Sequence, residues 1–141
     1  MKTKLERALF TNRFENIKKD IDRIYFGNEF CENLIPTIST LKKIYLSAKV
    51  QNKKFTFVTP FVTEYGLKRL SEIFLWLKKR ETECEIVVND WGVLEYLHRE
   101  LKGYFELSLG RLLVRQQRDP AMQKVLEKQL PFAIKGKDGK I

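Results

Sequence analysis

The sequence predicts an α/β protein with parallel strands and four to five βα units, either a partial TIM-like (β/α) barrel or an open parallel α/β sheet. Three observations carry this expectation. Short apolar runs stop at Gly, Pro, Asn or Asp. Segments of helical periodicity fill the gaps between them. The runs begin near residues 22, 55, 84 and 105, spacings that βα units occupy. Strands separated by helices imply parallel crossovers and a sheet covered on both faces. The 141 residues suit one domain, 1–141. They fall short of the ~250 that a closed barrel of this type uses. A half barrel leaves an edge strand and apolar surface open, and favours a homo- or hetero-oligomer that completes it.

The elements follow in order. Arg7 to Phe10 reads as a short strand. Asn12 and Glu15 have capping-box spacing ahead of Ile17 and Ile21, so a helix is expected over Asn12 to Asp20. "IDRIYFG", Ile21 to Gly27, is a strand with a glycine stop. Ile38, Leu41, Tyr45 and Ala48 share a helix face. "FTFVTP", Phe55 to Pro60, is aromatic and β-branched, which suits a pleated surface. Leu67, Leu70, Phe74 and Leu77 form the next helical stripe. "CEIVVND" and "FELSLG" repeat the strand pattern around a helix bearing Leu94, Leu97 and Leu101, with Asp90 as its N-cap. Pro120 to Leu130 reads as one more helix, and 131–141 as a polar, frayed tail.

Charge and cysteine usage bound the function. The net charge is +9. It fits either RNA bound through phosphate neutralisation or a lysine-rich solvated surface. No apolar run approaches the ~18 residues that span a membrane, and the start has no continuous apolar signal region. Two cysteines without a secretory signal point to a reducing, cytoplasmic setting. One histidine and no CxxC argue against a self-contained zinc site.

In either parallel architecture ligands sit at the carboxyl ends of the strands. The candidate rim residues are therefore Glu29, Thr59, Asn89, Asp90 and Arg111. Asp90 and Thr63 also fit as helix caps. Arg111, set in "LGRLL", is a cation among apolar residues. It suits a carboxylate or phosphate ligand, or a partner such as Asp90 or Glu29. Trp76 and Trp91 read as packing residues, and His98 as a surface or boundary residue. Cys31 follows the end of its strand and Cys84 starts its own, so roughly 16 Å of strand separates them. A disulfide needs Cα atoms within about 7 Å.

The segment "IYFGNEFCENL" resembles the strand-and-loop segment of the collagenase-like peptidase family of unassigned catalytic type, family thirty-two. "FTFVTPFV", "CEIVVNDWGVLEYL" and "FELSLGRLLVRQQ" are similar to the strands that follow it there. The likeness is one of order and spacing, from about Asn12 to Arg118. It implies the first part of a TIM-like barrel, with Ile21 to Gly27 as the second strand. That family includes proteins described as proteases, RNA-hydroxylation factors and ubiquinone-biosynthesis accessory proteins, several with a 4Fe–4S cluster on four cysteines. The resemblance implies an iron–sulfur-dependent modification or hydroxylation of RNA or a quinone precursor. Cys31 stands where the first cluster ligand would be, and the other three are expected beyond Ile141 or from a partner. Four thiolates are the usual requirement, so no cluster and no activity are expected of this chain alone. Direct proteolysis is disfavoured, since no nucleophile–base pair or metal motif is present.

Overall fold

A computed structural model describes residues 5–12, 17–80 and 84–114. Five strands form one sheet: β1 (Ala8–Phe10), β2 (Arg23–Gly27), β3 (Lys54–Val58), β4 (Glu85–Val88) and β5 (Glu106–Leu109). Three helices connect them: α1 (Ile38–Val50), α2 (Glu64–Lys78) and α3 (Trp91–Glu100). A single 3-10 turn, Glu32–Leu34, precedes α1. Among the described residues no helix is long and apolar enough to cross a membrane.

Each element has a local cause. Thr37 caps α1 by accepting from the Thr40 N–H at 3.3 Å. Asp90 caps α3 by accepting from the Val93 N–H at 3.1 Å. Thr63 precedes α2 without a side-chain cap bond. Asn52, at φ 53°, makes the tight turn from α1 into β3, a conformation Asn tolerates better than most residues.

Every neighbouring pair of strands is parallel, and the order across the sheet is β1-β2-β3-β4-β5. Register places Ile24 beside Phe55 and Phe57 beside Ile86. Alternation then puts Ile24, Phe26, Phe55, Phe57, Ile86 and Val88 on one face, all buried. All three helices pack there. Tyr45 of α1 meets Phe55 edge-on at 5.4 Å, and Phe74 of α2 meets Phe57 at 6.4 Å. Tyr96 of α3 stacks on Phe74 at 6.2 Å.

Among the described residues this departs from the expectation of a sheet covered on both faces. Each helix joins a strand to its immediate neighbour in one direction. Crossovers of one hand then deliver every helix to the same side. Coverage of both faces needs a reversal of strand order, and none occurs among the described strands.

The opposite face carries a polar row. Arg23 Nη1 donates to Thr56 Oγ1 at 2.9 Å and to Glu85 Oε2 at 2.8 Å. Its Nε donates to Glu6 at 3.1 Å, and Ser108 Oγ bonds the other Glu85 oxygen. The Arg23 and Glu85 side chains are only 16% and 13% exposed. Such a pair needs these neighbours, because a partly buried charge without partners is costly.

The expected helix over Asn12 to Asp20 is not seen at residue 12 or 17–20, which are irregular or turn; residues 13–16 lie outside the described set. The expected helix at Pro120 to Leu130 and the tail 131–141 also lie outside it.

Candidate functional site

The carboxyl ends of β2 to β5 form one rim, and backbone geometry shapes it first. Gly27 ends β2 at φ +136°, and a Cβ there would lie 2.0 Å from the Val58 carbonyl oxygen. Only glycine lets the chain turn that close to β3. Asn28 Oδ1 then accepts from the N–H groups of Phe30 and Cys31, at 2.9 and 2.8 Å. This is an Asx turn that fixes the loop.

Thr59, Asn89 and Asp90 do converge on the rim, as their strand-end positions predict. Their polar atoms are engaged in tying its loops together. The Thr59 hydroxyl donates to the Val87 carbonyl at 3.1 Å. Asn89 Nδ2 donates to the Thr59 carbonyl at 2.9 Å, and its Oδ1 accepts from Leu112 N–H at 3.2 Å. One buried amide thus ties the ends of β3 and β5 across β4. Gly110 makes room for it: a Cβ there would fall 2.1 Å from Asn89 Oδ1. Asp90 accepts from Val93 N–H with one oxygen and from Val62 N–H, at 3.4 Å, with the other.

Glu29 and Arg111 form an ion pair between the loops after β2 and β5. The Arg111 guanidinium also lies 4.7 Å from the centre of the Phe30 ring. Glu32 accepts from the Thr63 N–H at 2.8 Å and from the Thr63 hydroxyl, and these bonds hold its carboxyl below the usual carboxylate range. Arg69 donates to the Ile35 carbonyl at 2.7 Å.

Cys31 is half-buried on this rim and Cys84 is buried at the opposite end of the sheet; both are free thiols. Burial pushes the Cys84 thiol up to about 12. Among the described residues no group of three or more His, Cys, Asp or Glu side chains is arranged to hold a metal ion. A single cysteine does not by itself fit a four-thiolate cluster.

Sequence reasoning missed the aromatic character of the rim. Phe30, Phe61 and Trp91 each stand three residues past the end of their strand, and Leu112 does the same after β5. Phe30 is 60% exposed, and Phe61 and Trp91 are 64% exposed. Trp91 is therefore not a packing residue, whereas Trp76 is half-buried against Tyr45. The constant offset from each strand end is the signal in the sequence. A hollow of about 430 Å³ lies between Phe61, Asn89, Asp90, Trp91, Gly92 and the Leu112–Leu113 pair.

A second surface lies on the outer side of the helices. Helix α1 carries three lysines and no carboxylate. From α1 and α2 to Arg80 the helical segments hold eight Lys and Arg against Glu64 and Glu72. Lys42 and Arg80 both sit over the Trp76 ring, at 5.8 and 4.7 Å. Lys49 lies over Tyr45, and Lys78 lies 3.9 Å from the Tyr104 ring centre. No protein-family model, characterised protein or solved structure matches the chain.

Proposed function

We propose that the chain is an RNA-binding α/β scaffold that holds single-stranded RNA on the outer face of α1 and α2. The observation that carries this reading is the meeting of Lys42 and Arg80 on Trp76. Among the described residues no carboxylate lies within ion-pair distance of Lys42, Lys49, Lys78 or Arg80. Like charges gathered on a helical face repel, and a polyanion relieves that repulsion by neutralising them. Tyr104, half-exposed beside Lys78, adds a ring on which a base can stack. A membrane surface is the weaker fit. α1 buries Leu41, Ile44, Tyr45 and Ala48 in the core, which leaves only Leu46 and Val50 as exposed large apolar residues on that helix.

Titration of a labelled single-stranded RNA, followed by fluorescence anisotropy, tests the reading. Affinity that falls steeply as salt rises supports it. Affinity below that for anionic lipid vesicles at the same salt overturns it.

A second reading concerns architecture: the sheet is the front of a TIM-like barrel that further chain or a partner completes. The unreversed strand order and the placement of the three described helices on one face favour it. So does the polar row of Arg23, Thr56, Glu85 and Ser108, which would face a barrel interior. Light scattering on a sizing column tests for a self-completing oligomer.

The resemblance to family thirty-two adds an iron–sulfur-dependent modification of RNA or a quinone precursor, with Cys31 as one ligand and a reducing, cytoplasmic setting. Cys84, at the far end of the sheet, does not supply the second thiolate. We therefore assign no catalytic step to this chain alone. Anaerobic iron reconstitution of a longer form of the protein tests that assignment.

A further inference from the structure

The geometry points to a binding site for an uncharged planar heterocycle, a nucleobase, in the hollow walled by Phe61 and Trp91. Three observations define it. The first is the repeated offset: Phe30, Phe61 and Trp91 leave the sheet at equivalent positions of successive loops, so their side chains gather on one rim. Phe61 and Trp91 line the same hollow, whose 430 Å³ falls in the range of small-molecule sites. Two exposed π faces there offer stacking, and every nucleobase has a π face.

The second observation is polar. Asn89 lines the hollow and is 2% exposed. One amide hydrogen bonds the Thr59 carbonyl, and the other has no acceptor among the described residues. A ring carbonyl or ring nitrogen would supply that acceptor, and buried amide hydrogens are rarely left unpaired.

The third observation sets the charge. Glu29, Glu32 and Asp90 place three carboxylates on the rim. Arg111 is paired with Glu29, and Arg69 donates to backbone carbonyls. Among the described residues three carboxylates face these two cations, so the rim carries no excess positive charge and favours the base over the charged parts of a nucleotide.

The site rests on the proposed function only in taking RNA as the source of the ring. It is separate from the α1–α2 face, so the two assignments fail independently. Nucleosides can bind at the rim without RNA binding to the helices, and the reverse also holds.

The test is a titration with adenosine, guanosine, cytidine and uridine and with their 5′-monophosphates. Tryptophan fluorescence reports occupancy in the wild-type protein, and calorimetry reports affinity in the variants. The expected result is saturable quenching by at least one nucleoside. Its monophosphate binds no tighter, and affinity falls about tenfold in Phe61→Ala and Trp91→Ala. Trp91→Leu, which keeps an apolar side chain and removes the indole, behaves as Trp91→Ala. Both positions are exposed, so unfolding does not confuse the result. Absence of saturable quenching, wild-type affinity in the three variants, or tighter binding of the monophosphates overturns the assignment.

Discussion

Gly110 and Asn89 form the sharpest energetic test of the rim. A Cβ on Gly110 would lie 2.1 Å from Asn89 Oδ1, 2.5 Å from its Cγ and 2.7 Å from its Nδ2. All three nearest atoms belong to one side chain, and the Gly110 backbone is not in the left-handed region. Gly110→Ala therefore costs stability only by displacing Asn89. Asn89 is short and held at both ends, by Thr59 and Leu112. Moving it forfeits two buried hydrogen bonds, about 2–4 kcal/mol in total when partners are left unsatisfied. Asn89→Ala forfeits the same two bonds and costs about the same. Once the Asn89 side chain is gone the new methyl has room. Gly110→Ala in the Asn89→Ala background should then be near neutral, or stabilising by about 0.5 kcal/mol through the unfolded chain. The predicted coupling is about 2–4 kcal/mol, well beyond the ~0.5 kcal/mol scatter of additive pairs. Urea unfolding of the wild type, both single variants and the double variant measures it. If Gly110→Ala costs the same in both backgrounds, the amide tie between β3 and β5 does not hold the rim as described.

Other consequences follow from the same contacts. Glu85→Ala strips Arg23 of its closest carboxylate in a partly buried setting and should cost about 3 kcal/mol, read by urea unfolding; Glu106→Ala, on the exposed start of β5, should cost far less. Glu32 has a folded-state pKa below its unfolded value, so its contribution is complete above the unfolded pKa and is lost as pH falls through the folded one. Acid unfolding of Glu32→Gln should lack that component. The Cys84 thiol is raised from an ordinary 9 to about 12, so the unfolded chain releases this proton first. Its contribution is complete below pH 9 and is lost as pH rises from 9 to about 12. A thiol reagent at neutral pH should modify half-buried Cys31 in the folded protein and buried Cys84 only on unfolding.

Much of the scaffold is legible in the sequence because its signals are local. The aromatic and β-branched run at Phe55 and the 3.6-residue stripe through Leu70, Phe74 and Leu77 each announce one element without help from the rest of the chain. Strand order is different. Nothing within "FTFVTP" or "CEIVVND" says which neighbour lies on which side, so the gathering of the three described helices on one face is not readable there. The same holds at the rim. The positions of Thr59, Asn89 and Asp90 follow from strand ends, and so does Asp90's cap on α3, but the ties that Thr59 and Asn89 make, and Asp90's second bond, depend on backbone groups roughly thirty residues away, at Val87, Thr59 and Val62. Trp91 was expected to pack because it is large and apolar. It opens α3, whose buried face is Val93 and Leu97, four residues apart, and this leaves the indole at the rim. A cation among apolar residues suits either an anion or an ion-pair partner, and for Arg111 the structure realises the pair with Glu29.

The salt dependence of RNA affinity tests the central claim most directly. Each cation that neutralises a phosphate on single-stranded RNA adds about 0.7 to the slope of log affinity against log salt. Replacing both Lys42 and Arg80 with alanine should lower the slope by about 1.4 and weaken binding at low salt. Arg99→Ala, which removes a cation already paired with Glu100 on α3, should leave the slope unchanged. A slope that is the same in the Lys42/Arg80 double variant as in the wild type would contradict RNA binding on the α1–α2 face.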